Sequence, residues 1–125
     1  MGASPRTLLE EPAFRLLREE FPGGVRFILP GDLTAEGAER VFGALESHSG
    51  AGEGAELLLD EADLADGAAV ARMVDAVRLL LARFGRVRLV RSPQVLAHTI
   101  YRAGMLRPGS RLELIEPREE EGRAS

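Results

Sequence analysis

Apolar positions along this chain switch between a period of two and a period near 3.6, and the switches mark out strands and helices in alternation. Phe14 to Phe21 alternates imperfectly, Pro22-Gly23-Gly24 is a turn signal, and Val25 to Leu29 alternates again, so a hairpin is predicted. Val25, Phe27 and Leu29 would then share one side of the second strand. Gly31-Asp32-Leu33-Thr34 ends that strand and opens a helix, with Thr34 as N-cap and Asp32 as the alternative. In this helix Ala38, Val41, Phe42 and Leu45 recur at helical spacing, opposite Glu36, Glu39, Arg40 and Glu46. It should stop near His48, because Ser49 to Gly54 is glycine-rich.

Ala55 to Leu59 is a nearly continuous apolar run, which suits a central strand buried on both faces. The second helix carries the plainest stripe, Val70, Met73, Val74, Val77, Leu80, Leu81 and Phe84, and Gly85 is expected to close it. Arg86 to Arg91 reads as a strand that starts with arginines on one side and apolar residues on the other. Ser92 as N-cap and Pro93 at the first helical position then start a third helix, which buries Val95, Leu96, Thr99 and Ile100 and stops at Gly104. Pro108-Gly109 turns the chain into a last alternating strand, Arg111 to Ile115.

The order ββαβαβαβ implies right-handed crossovers and a single α/β domain, with a mostly parallel central sheet, an antiparallel edge strand and flanking helices. The polar alternation of the last two strands predicts that one sheet face is less well covered. Residues 1–12 are expected to form a flexible arm, 13–116 the domain and 117–125 a charged tail that frays.

Composition removes several classes of function. With no cysteine there is no disulfide, no thiol catalysis and no cysteine-held metal. With no lysine there is no phosphate-loop lysine and no Schiff base, and every basic residue is arginine. A net charge of −4 speaks against a nucleic-acid partner. No apolar run approaches the roughly 20 residues of a membrane span, and no basic start precedes an apolar stretch, so a cytoplasmic protein without membrane insertion is expected.

Chemistry-bearing side chains are sparse. Asp60, Glu61, Asp63 and Asp66 crowd the segment before the second helix. They offer carboxylates for magnesium or a nucleotide, but their spacing fits no calcium loop, and acids before a helix offset its positive end. With Asp66 as cap, the small residues Gly67 and Ala68 would face a partner and permit close approach. Arg83, Arg86, Arg88 and Arg91 offer a cationic strip, for which arginine stems covering an apolar sheet are the plainer reading. His48 and His98 lie beside no serine or cysteine nucleophile in any motif. Gly50, Gly52 and Gly54 precede a strand, without the helix N-terminus that a phosphate loop requires. No catalytic residue, cofactor or metal is assigned, and a non-enzymatic binding protein is expected.

Three stretches carry a family resemblance. Val25 to Thr34 (VRFILPGDLT), Leu57 to Val70 (LLLDEADLADGAAV) and Arg88 to Leu106 (RLVRSPQVLAHTIYRAGML) resemble, in element order, the STAS domain of bacterial anti-sigma factor antagonists. The resemblance implies a non-catalytic, cytoplasmic protein–protein interaction module that docks on an anti-sigma factor kinase-like protein. Its partner-binding surface would comprise Asp32, Thr34, Asp63, Asp66, Gly67, Ala68 and Ala69. The family's usual phosphoserine switch, in an Asp-Ser-Ser-Gly motif, corresponds here to Asp66-Gly67-Ala68-Ala69, and no serine or threonine lies between Asp60 and Arg91. A second role within the same resemblance is an accessory subunit of an ABC lipid-transport ATPase of the Mla type. A third reading, outside it, is a nucleotide- or metal-binding protein using the 60–66 carboxylate loop.

Overall fold

The computed structural model describes residues 5–118. Its elements in chain order are β1 (Arg6–Glu10), β2 (Arg15–Phe21), β3 (Gly24–Ile28), β4 (Gly31–Leu33), α1 (Ala35–His48), β5 (Gly52–Leu58), β6 (Ala62–Leu64), α2 (Gly67–Arg83), β7 (Phe84–Val90), α3 (Gln94–Arg102) and β8 (Leu112–Ile115). Six strands form one sheet in the order β1-β2-β3-β5-β7-β8, and β4 pairs with β6 in a separate two-stranded ladder. The β1/β2 and β2/β3 pairs are antiparallel, whereas β3/β5, β5/β7 and β7/β8 are parallel.

The three helix-bearing crossovers advance across the sheet in one direction, from β3 to β5 to β7 to β8. Crossovers of one hand that advance in one direction leave their helices on one face. The strand burial agrees. Val25, Ala55, Val87 and Leu112 stand in register across four strands and are buried, as are Phe27, Leu57 and Leu89 in the next row. These rows meet Val41 and Leu45 of α1, Met73, Val77 and Leu80 of α2, and Leu96 and Ile100 of α3 in one core.

The opposite face, expected to be less covered, carries two further in-register rows. One is half-buried and apolar: Leu17, Ile28, Leu58, Val90 and Ile115. The other alternates in charge: Glu19, Arg26, Glu56, Arg88 and Glu113. Arg26 bonds Glu19 and Glu56 at 3.0 Å each, and Arg88 reaches Glu56 at 3.6 Å and Glu113 at 3.2 Å. The hydrogen bond that Arg26 donates to Glu56 is the main cause that raises the Arg26 pKa above the ordinary arginine value. Charges paired sideways in this way cover an exposed sheet and deter edge and face association.

Five expectations need correction, the first being Val95, which stands exposed on α3 instead of buried. The supposed arm contains β1, whose antiparallel pairing with β2 extends the sheet by one strand, so β2, the strand that runs against the others, is not the edge. Its first four residues lie outside the described ones, as do 119–125 of the expected tail. Within that tail Arg118 is fastened: its N–H donates to Ser92 O at 3.0 Å and its carbonyl accepts from Gln94 Nε2 at 2.5 Å. Gly85 does not close α2, because the chain turns extended at Phe84, which begins β7 and is buried from the sheet side. Ser92 does not cap α3: Pro93 occupies the N-cap, and the fully buried Ser92 hydroxyl bonds the Pro93 carbonyl at 3.0 Å.

Gly104 does stop α3. It sits at φ +76°, with Gly104 N–H on Tyr101 O at 3.0 Å and Met105 N–H on Ile100 O at 3.3 Å, the paired bonds of a Schellman end. Replacing Glu56 by glutamine should lower stability by about 1 kcal/mol, since the carboxylate joins two arginines while only partly exposed to solvent. Denaturant melts at low and high salt check this: the loss should shrink with salt, and an unchanged midpoint at low salt would remove the row from the stability account.

Candidate functional site

α1 and α2 both start at the end of the sheet where the parallel strands β3 and β5 finish. Thr34 caps α1, its hydroxyl accepting from Gly37 N–H at 3.1 Å. Asp66 caps α2, its Oδ1 accepting from Ala69 N–H at 3.0 Å. Both choices follow from short oxygen-bearing side chains meeting otherwise unpaired helix donors.

The β4/β6 ladder sets these two starts side by side. Its register pairs Gly31 with Ala62, Asp32 with Asp63 and Leu33 with Leu64. The buried Ala62 and Leu33 anchor it, and Ala65 N–H prolongs it onto Leu33 O at 2.9 Å. Gly31 permits the close approach: at φ +121° a Cβ there would lie 2.3 Å from Ala13 O. Its N–H bonds Glu61 O at 2.9 Å, while Asp32 N–H bonds Ala13 O at 2.9 Å. On the other side Arg118 donates from Nη1 to Asp60 O at 3.0 Å and from Nη2 to Ala62 O. The segment before α2 is thus stitched down by β4 and by the C-terminal segment.

The ladder brings together residues that the sequence separates by about 30 positions. Asp32 and Asp63 stand opposite one another and are both exposed. Like charges at such a pair oppose folding by roughly 0.2–1 kcal/mol. Thr34, Asp66, Gly67 and Ala68 are exposed at the adjoining helix starts. Ala69 departs from the expected surface: it is fully buried and contributes only its backbone N–H to the cap. A Cβ at Gly67 would meet nothing within 4 Å, so the α2 start is open to a second chain.

Among the described residues no three His, Asp or Glu side chains come together as a metal-binding group. Asp60, Glu61, Asp63 and Asp66 are therefore spread along the loop and do not converge. The arginine strip is also dispersed. Arg83 donates to Leu45 O at 3.2 Å, Glu46 O at 2.7 Å and Ser49 Oγ at 3.0 Å, where it neutralises the C-terminal end of α1. Arg88 belongs to the alternating row, while Arg91 stands past the strand at φ +59°. His48 ends α1, and His98 lies exposed on α3.

No helix among the described residues is long and apolar enough to cross a membrane. No protein-family model and no curated protein matches the chain.

Two substitutions separate the cap from the surface. Asp66→Ala should cost about 1 kcal/mol by freeing the Ala69 N–H. Gly67→Ala should leave stability equal or up to about 1 kcal/mol higher, because the added methyl enters open space on a helix. Thermal melts of both variants check this, and a destabilised Gly67→Ala would show that the α2 start is more crowded than described.

Proposed function

We propose that the protein is a non-catalytic, cytoplasmic binding module of the STAS type, which docks through the paired starts of α1 and α2. In this reading it acts as an anti-sigma factor antagonist-like regulator without the serine switch, and its partner is an anti-sigma factor kinase-like protein. The observation that carries the reading is the α2 start: Asp66 caps the helix, and Gly67 and Ala68 lie exposed beside it, where the resembled family keeps its phosphorylatable serines.

The physics favours a partner with basic groups. Asp32, Asp63 and Asp66 lie exposed at one end of the molecule, and positive charge on a second chain would relieve the Asp32–Asp63 opposition. Small side chains at 67 and 68 let a partner backbone come close. A phosphate at this point would set a bulky, strongly hydrated group where a partner backbone must come close, and would deter docking by its size and desolvation cost. With glycine and alanine there, the surface stays available whatever the kinase activity.

Ala68→Glu mimics that hydrated bulk in a form that should suit the fold. A carboxylate in the first turn of α2 should keep stability equal or raise it by about 0.3–1 kcal/mol. Capture from cells carrying the gene, with wild-type and Ala68→Glu protein side by side, is expected to recover a kinase-like ATPase with wild type only. Direct titration of the recovered protein should show at least about tenfold weaker binding to the variant, the scale of one hot-spot contact. Equal binding by the two proteins would refute the docking surface. Recovery of a transporter ATPase would keep the surface and replace the pathway.

A further inference from the structure

α2 carries the chain from the acidic end of the sheet to its opposite end, and there the charge reverses. A groove of about 670 Å³ lies between the second half of α2 and the connection from α3 to β8. Arg78 of α2 and Arg107 and Arg111 of the connection line it, together with Leu81, Met105 and Ser110, and no acidic side chain does. Leu81 and Met105 are half-buried and pack on the core, so the groove has apolar ground beneath a cationic rim.

These arginines differ from the five that are held in close ion pairs. Arg18, Arg26, Arg40, Arg72 and Arg88 each have a carboxylate oxygen within 3.5 Å. Arg107 and Arg111 enter no ion pair among the described residues. Arg78 has only Asp75 at 4.0 Å, and Asp75 is held more closely by Arg72 at 2.8 Å. Three guanidinium groups in one concavity repel one another, and a protein of net charge −4 has carboxylates to spare for them.

The rim is also held in place. Arg111 Nη1 donates to Phe84 O at 2.8 Å, which fixes the guanidinium and leaves its other donors for a ligand. Ser110 Oγ donates to Met105 O at 2.6 Å and accepts from Leu112 N–H at 3.1 Å, and Ser110 N–H bonds Arg107 O at 2.9 Å. The connection is pre-organised by its own bonds, which lowers the cost of ordering it around a ligand.

We propose that this groove binds a small organic polyanion, one with phosphate or carboxylate oxygens bearing two or more negative charges. The anionic group would lie between Arg107 and Arg111, within reach of Arg78, and a less polar part would lie over Leu81 and Met105. Guanidinium groups match such oxygens in bidentate geometry, and a mixed polar and apolar concavity of this size suits a small molecule. The site is independent of the docking surface, about 18 Å away along α2 if measured from Asp66 to Arg78 at 1.5 Å per residue.

Calorimetric titration of the full chain at low salt tests it, with inorganic pyrophosphate in one arm and citrate in the other. Saturable binding of either is expected, weakening as salt rises. Binding of pyrophosphate alone assigns the phosphoryl group, and binding of citrate alone assigns the carboxylates. Arg107→Gln, at an exposed position outside the core, should weaken binding at least about tenfold, the scale of one charge-assisted hydrogen bond. Arg86→Gln, at an exposed arginine away from the groove, should leave it unchanged. Absence of binding in both arms, or equal affinity in the Arg107 variant, overturns the site. Binding only to a glutamate-rich peptide overturns the small-molecule assignment.

Discussion

The hand of the strand–helix–strand crossover is the constraint on which this molecule depends. Because β3, β5, β7 and β8 follow one another across the sheet, their three crossovers place α1, α2 and α3 on a single face. The same geometry brings the starts of all three helices to one end, so their positive dipole ends accumulate there. The acids and caps at that end, Asp32, Thr34, Asp63 and Asp66, answer a charge that the topology creates. Asp32 and Asp63 exceed what the caps require and leave that end with exposed negative charge.

One-sided coverage has a second consequence. The open face must meet solvent with six strands, and it does so by pairing charges along the sheet instead of leaving a plain apolar plane. In the row from Glu19 to Glu113 each arginine lies between two acids, so no isolated charge is left on a partly desolvated surface. Arginines bound in this row, or at the end of α1 as Arg83 is, are lost to ligand recognition. Arg78, Arg107 and Arg111, which no close carboxylate holds, line the groove at the other end of α2 from Asp66.

Element type and order were largely legible, because long amphipathic stripes such as Val70 to Leu80 and alternations such as Val25 to Leu29 admit few other readings. Local rules sufficed for Thr34, Asp66 and Gly104, where a short polar or glycine side chain meets the donors or acceptors of a helix end. They failed where tertiary packing decides. β1 reads as an arm because Arg6 and Glu10 dilute its apolar residues, and only the β2 edge beside it makes it a strand. Ser92 has the chemistry of a cap, but burial turns its hydroxyl to the Pro93 carbonyl. Phe84 continues the helical stripe of α2 by spacing, yet as the first residue of β7 it meets Phe27 edge-on at 6.4 Å between ring centres. The Asp32–Asp63 juxtaposition and the arginine groove are products of long-range pairing, which a linear pattern does not encode.

An amide hydrogen-exchange map of the protein, free and bound to its captured partner, tests the docking surface most directly. Slower exchange on binding should be confined to residues 31–37 and 62–70, with the open sheet face and the far groove unchanged. Protection centred on the strands of the open face, with the starts of α1 and α2 exchanging as in the free protein, would contradict it.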